Sequence, residues 1–271
     1  MHARSHAFWK ALDPLVAFAM QSIYGPNGAQ TADFGALGEV ALPYHAMGKI
    51  NSVHLFGLDE LIIFAFYWHN RSKYKRVLDA GANLGLHSIL MDRAGWNVTA
   101  YEPDPVHANL FRRNIAKNGC NRVTLVEAAL ADQDGTVNFR RMLDNTTSSH
   151  IYGAKDTAHG PEEIFPVQCH DLRRIISDYD FVKMDIEGLE ATLLTMLTPD
   201  MLKKTDIMLE IGTAKNAELI FNHFKNTPIS MFAQKNGWQK VANIKNMPTS
   251  YREGSLFLSA QPAMNWAKAD A

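Results

Sequence analysis

From Arg76 to Glu127, short apolar runs alternate with helix-forming stretches across links of a few residues, and this alternation sets most of what the chain can become. Arg76-Val77-Leu78-Asp79-Ala80 is an apolar run closed by glycine and reads as a buried strand. A helix is expected from about Leu84 to Ala94, ended by Gly95, and Trp96 to Tyr101 is a β-rich run that stops at Glu102. Asp104 then offers a helix cap and Pro105 a first-turn proline, Asn118-Gly119 ends that helix, and Arg122 to Glu127 reads as the next strand. Strands linked this way lie parallel with right-handed crossovers, which specifies a doubly wound, mostly parallel α/β sheet of Rossmann-like type.

The pattern resumes with a strand at Asp180 to Asp185, a helix from about Leu189 to Leu197, a strand at Asp206 to Glu210 and a helix at Ala217 to Phe224. Trp238 to Val241 and Ser255 to Leu258, around a polar loop, predict an antiparallel C-terminal hairpin. Residues 1–53 read as an N-terminal helical cap, apolar from Phe8 to Ile23 and then broken by Gly25-Pro26 and Asn27-Gly28; residues 54–271 read as the main domain. Leu61 to Trp68 predicts a buried helix with Asp59 as its cap. Between the two halves, Leu143 to Glu163 is polar and lacks clear structure, a length more often functional than a plain linker.

Composition removes several function classes. Lys and Arg total 27 against 28 Asp and Glu, so the bulk positive field used to bind extended nucleic acid is missing. Cys120 and Cys169 are too few for a disulfide framework, and no Cys/His cluster suggests zinc. No run approaches the ~20 apolar residues of a membrane span, and Leu15 to Met20, preceded by His2, Arg4 and Lys10, lacks a cleavage site. A cytoplasmic enzyme is the expectation.

Chemistry starts at Asp79-Ala80-Gly81-Ala82-Asn83-Leu84-Gly85. A glycine loop between strand and helix brings a ligand to bare backbone beside a helix start. A dinucleotide fingerprint would put glycine where Asn83 and Leu86 stand, and the phosphate-loop pattern has no match. Glu102 ends the second strand 21 residues after Gly81, where such folds place an acid on ribose hydroxyls. Ribose without pyrophosphate points to a nucleoside-like ligand such as S-adenosylmethionine, whose cationic groups suit strand-end carboxylates such as Asp79.

Val77 to Gly85, with Tyr101-Glu102-Pro103-Asp104-Pro105 and Val182-Lys183-Met184-Asp185-Ile186-Glu187-Gly188-Leu189-Glu190, resembles the FkbM-type S-adenosylmethionine-dependent methyltransferases. The resemblance covers roughly Leu58 to Phe224. It implies a class I methyltransferase fold, S-adenosylmethionine as donor, and a hydroxyl acceptor on a small molecule, sugar or glycolipid. It implies further that Asp79, Gly81, Asn83 and Gly85, with Ala82 of the same loop, line the methionine end. Glu102, beside Pro103, would take the ribose, and Ala128 and Ala129 would lie near adenine. Ala80 stands where many relatives carry a β-branched residue, a mild departure.

Methyl transfer to an alcohol needs assistance with proton loss. Asp185 and Glu210 each close a predicted parallel strand, where open sheets bind ligands, so both are catalytic candidates. Asp185 is read either as general base or as anchor of the methionine amino group. Glu187 and Glu190 follow it, with stabilisation of a helix start as their alternative use. Oxygen ligands from Asp185 and Glu210 would also suit Mg²⁺, although no dedicated metal motif is present. His150, in the polar loop with Thr146, Thr147, Ser148 and Ser149, is the leading histidine candidate among His54, His87, His150, His159 and His170, and the loop itself is expected to face the acceptor. Lys183 could act with Asp185 or serve only as an ion-pair partner. The rival readings are a nicotinamide-dependent dehydrogenase and a non-catalytic nucleoside-binding module of the same fold.

Overall fold

Strands that read as continuous apolar runs form the middle of one sheet, because a strand covered on both faces has no polar side to show. In the computed structural model, which describes residues 2–155 and 160–264, β1 (Arg76–Ala80), β2 (Asn97–Tyr101), β3 (Val123–Val126), β4 (Phe181–Met184) and β5 (Asp206–Glu210) pair in parallel. β6 (Ser230–Ala233), β7 (Gln239–Lys240) and β8 (Ser255–Ser259) complete an eight-stranded sheet of order β7-β6-β8-β5-β4-β1-β2-β3. The chain winds outward from β1 to β3 and then returns to the other side of β1 as β4 and β5. The switch point therefore lies between β1 and β4, where open sheets of this kind bind ligands.

Successive side chains alternate between two apolar layers, as the period of a strand requires. Leu78, Val182 and Ile207 pack with Leu193 and Ile220, from α5 (Glu190–Leu194) and α6 (Ala214–Phe224). Val77, Phe181 and Met208 pack on the opposite face with Phe66 and Ile89, from α2 (Leu58–His69) and α3 (Leu86–Arg93). α4 (Pro105–Lys117) starts as the sequence predicts, with the Asp104 carboxylate accepting from the Val106 amide at 2.8 Å. The N-terminal segment carries α1 (Ala7–Tyr24) and two short strand pairs. Its Tyr24 stacks on Phe56 at 4.1 Å and joins the α2–α3 face of the core. Among the described residues no helix is long and apolar enough to cross a membrane.

Three expectations shift. The antiparallel C-terminal addition has three strands, not two: β7 and β8 do not pair with each other, because β6 stands between them and bonds to both. At the start of α2 the capping position belongs to Gly57, and Asp59 sits inside the first turn, accepting from Arg4 at 3.3 Å. Of the stretch read as an unstructured connection, His150–Ile151 and the start of Glu162–Asp171 are strands of a second, four-stranded sheet completed by Gly135–Met142 and Ala129–Ala131. Much of its pairing is electrostatic: Arg141 and Glu163 are register partners joined by an ion pair at 2.5 Å, and Arg140 meets Glu162 at 3.1 Å. Pro166 lies where its strand has a neighbour on one side, as a residue without an N–H requires.

Candidate active site

A cavity of about 350 Å³ opens at the carboxyl ends of β1, β2, β4 and β5. Gly81 and Asn83 reach it from the turn after β1, Glu102 and Pro103 from the end of β2, Asp185 from the end of β4, and Glu210 is the last residue of β5. Its outer walls are Ile50, His54 and Leu55 before α2, Thr146, Thr147, Ser149 and Ile151 of the insertion that carries the second sheet between β3 and β4, and Tyr251 before β8.

The turn after β1 is shaped by close packing. Gly81 has φ +80°, and a side chain there would overlap the carbonyl oxygen of Asp185, so this glycine lets the turns after β1 and β4 touch. Gly85, at φ +88°, is needed because a Cβ would lie 2.8 Å from the Phe111 ring. Asn83 adopts φ +51°, a conformation sparsely populated by non-glycine residues and concentrated at functional sites. Its amide donates to Glu102 Oε2 at 2.7 Å, while Glu102 Oε1 accepts from the Asp104 amide at 2.9 Å. Burial pushes the Glu102 carboxyl up to about 8 against the opposite pull of those two N–H groups. Asn83 lines the cavity, and its Oδ1 is buried with no hydrogen-bond partner among the described residues.

At the opposite end, carboxylates crowd around one lysine. Lys183 on β4 is 8% exposed, lies beside Asp79 in the sheet register, and sits 3.3 Å from Asp185 Oδ2. Burial alone would lower its pKa, but Asp185 foremost, then Asp79, Glu60 and Glu210, hold it above the ordinary lysine value. Burial, then the Asp185 and Glu60 charges, drive Glu210 well above the usual carboxylate range. Glu187, at φ +58° and ion-paired with Lys155, is raised to about 7 by burial first and Asp185 second. Glu190 accepts from the amides of Ile186 at 3.0 Å and Gly188 at 2.9 Å, so it clamps this turn.

Of the sequence candidates, the fold gathers Gly81, Asn83, Glu102, Pro103, Ala129, Asp185 and Glu210 around the cavity, together with Ala128. Asp79, Ala82, Gly85 and His150 are not among its lining residues. Asp79 is fully buried and accepts from Ser88 Oγ at 2.6 Å, and Ala82 packs with Ala100 and Phe111. His150 is 2% exposed and its Nδ1 lies 2.8 Å from the Ser148 carbonyl, while its neighbours Ser149 and Ile151 face the cavity. His54 lines the cavity, His170 meets the Tyr101 hydroxyl at 3.0 Å, and His159 lies outside the described residues. Among the described residues no group of three or more His, Cys, Asp or Glu side chains is placed to hold a metal ion, so Mg²⁺ at Asp185 and Glu210 gains no support.

Two lining residues escape sequence reasoning. Glu60 sits beside Asp59 in the first turn of α2, where acids commonly serve the helix dipole. His107 on α4 lies 2.9 Å from Thr146 Oγ1 and ties the insertion to the β2 end; burial lowers it to about 4, so it is neutral. Its one early sign was its place three residues after the Asp104 cap.

The model of the family described as the methyltransferase FkbM domain matches residues 79–225. No curated protein matches the chain. Among solved structures, an O-methyltransferase from Bacillus cereus in complex with SAH is 11% identical with a TM-score of 0.39, covering 73% of this chain and 78% of that one. A ribosomal protein L11 methylase from Lactobacillus delbrueckii subsp. bulgaricus is 13% identical with a TM-score of 0.39, covering 75% and 80%. An SAM-dependent methyltransferase from Agrobacterium tumefaciens is 10% identical with a TM-score of 0.38, covering 74% and 61%.

Proposed function

The chain belongs to the methyltransferase FkbM domain family, and from that premise we propose that it transfers a methyl group from S-adenosylmethionine to a hydroxyl group of a small molecule, sugar or glycolipid. The observation that carries this reading is the cavity itself, bounded at one end by Glu102 and at the other by Asp185 and Glu210. A hydroxyl-rich sugar at one end and positive charge at the other suit that donor set. When bound, S-adenosylmethionine supplies a methyl group activated by a sulfonium.

The chain's own residues do the rest. Glu102 accepts from ribose hydroxyls while the Asn83 and Asp104 amides hold its carboxylate. Asp185 takes the acceptor's proton at Oδ1, since Oδ2 faces Lys183. The insertion residues Thr146, Thr147 and Ser149 orient the acceptor with their hydroxyls, and Leu55, Ile151 and Leu189 keep water from the cavity. Calorimetric titration with S-adenosylmethionine and S-adenosylhomocysteine tests the donor, and a panel of hydroxylated acceptors followed by mass gain of one methyl tests the reaction. Binding and thermal stabilisation by NAD in place of both adenosyl ligands would overturn the reading in favour of a dehydrogenase.

A further inference from the structure

Glu60 lies before the residues matched by the family model, and it lines the cavity from the first turn of α2. Its Oε2 is buried and accepts no hydrogen bond among the described residues, and an imidazole lies beside it. His87 Nε2, from the first turn of α3, sits 3.0 Å from Glu60 Oε2, and the Tyr67 hydroxyl sits 2.8 Å from His87 Nδ1. Tyr67 is fully buried, and burial keeps it a neutral phenol. Phe64 closes edge-on against the imidazole at 5.2 Å. His87, backed by Tyr67 and Phe64, lies against one carboxylate at the end of the cavity that also holds Asp185 and Glu210.

We propose that Glu60 is a specificity residue of this site: lying against His87, it faces the positively charged end of the methyl donor and makes the cavity favour the sulfonium over the neutral thioether that remains after transfer. This rests on the donor assigned above. The argument is one of charge. Among the described residues, no lysine or arginine lines the cavity, and Lys155 and Lys183 are already ion-paired with the lining residues Glu187 and Asp185. Glu60, Asp79 and Asp185 act on the single charge of Lys183, and Glu210 beside them is held toward its neutral form by burial and the same crowding, so the pole has more carboxylates than cations to match them. A cation entering a partly buried, electron-rich pole is bound far more strongly there than in water. In the reaction the sulfur–methyl bond breaks, its electron pair stays on sulfur, the carbon bonds to the acceptor oxygen, and the acceptor's proton passes to Asp185. The ligand loses its sulfonium charge in that step, and with it the attraction to Glu60, so product leaves more readily than donor.

The test is calorimetric titration of the full chain with three ligands: S-adenosylmethionine, S-adenosylhomocysteine, and the donor analogue in which a protonated amine replaces the sulfonium methyl. The wild-type chain is expected to bind both cations about 10-fold or more tighter than the thioether. Glu60→Gln should bring the three within about 3-fold by weakening the cations while sparing the thioether, and His87→Gln should fall between. Equal wild-type affinity for all three, or a Glu60→Gln variant that weakens all three alike, would overturn the proposal. A wild-type chain that binds none of them fails the donor assignment instead. If Glu60→Gln does not fold, as a melting curve would reveal, the wild-type ratio and His87→Gln decide.

Discussion

The two ends of the cavity solve opposite problems. At the β2 end a single carboxylate, Glu102, accepts from two backbone amides, one at each oxygen, in a cavity that Ala128 and Ala129 also line, so it is held in place before any ligand arrives. At the β4–β5 end, Glu60, Asp185, Glu187 and Glu210 are gathered with fewer cations than their charge calls for, and burial and mutual repulsion raise Glu187 and Glu210. One end offers fixed hydrogen bonds. The other crowds carboxylates whose repulsion a cation would relieve, and on the proposed reading such a pole suits a reaction in which charge disappears.

The sharpest way to break both ends at once is Gly81→Ala. A Cβ there overlaps the Asp185 carbonyl at a φ of +80°, so donor binding should be lost and the melting temperature should fall by about 5–10 °C, read by calorimetry and thermal unfolding. Asp185→Asn addresses the acidic end alone: turnover should drop roughly 10²–10⁴-fold, while the affinity for S-adenosylhomocysteine stays within a few-fold. Glu102→Ala addresses the other end alone and should weaken S-adenosylmethionine and S-adenosylhomocysteine alike by about 10–150-fold.

Acidity separates the ends without mutation. Glu102, at about 8, and Glu187, at about 7, stand above their ordinary 4.5 in the folded chain. Raised folded values mean that the unliganded protein is favoured by these groups below about 4.5 and loses that stability as pH rises through 7 to 8. Ligands that prefer the ionised carboxylates should bind in the opposite sense. Both adenosyl ligands should gain affinity between about pH 6 and 8.5 through Glu102, and S-adenosylmethionine should gain several-fold more through the acidic end. Parallel pH profiles for the two ligands would remove the distinction. The smallest expected effect is Thr146→Val, which deletes the contact with His107 and should cost about 1 kcal/mol of stability with a modest rise in acceptor KM.

The sequence exposes some residues at each end of the site and hides others, for a physical reason. Glu102, Asp185 and Glu210 are legible because each is an acid that abruptly ends an apolar run, and strand ends are where parallel sheets place ligands. Glu60 is hidden, since an acid in a first helical turn looks like an answer to the dipole, and only the packing of α2 beside α3 brings it to His87. The glycines were legible as a tight turn, but that Gly81 answers to Asp185 and Gly85 to Phe111 is a property of chain segments distant in sequence. The insertion sheet was illegible because charged pairs such as Arg141–Glu163 occupy register positions where alternating apolar residues would have signalled strands. β6, the short Ser230–Ala233 run after Pro228, carried too little pattern to reveal that it divides the two strands taken for a hairpin.

The contact between position 81 and the Asp185 carbonyl has a consequence for how this enzyme can diversify. It rivets the turns after β1 and β4 into a single floor plate, so neither can be remodelled without misaligning the other. Adaptation to a new acceptor is therefore steered to the three removable panels around that plate, at Ile50–Leu55, Thr146–Ile151 and Tyr251, where bulk can change and the floor beneath stays in place.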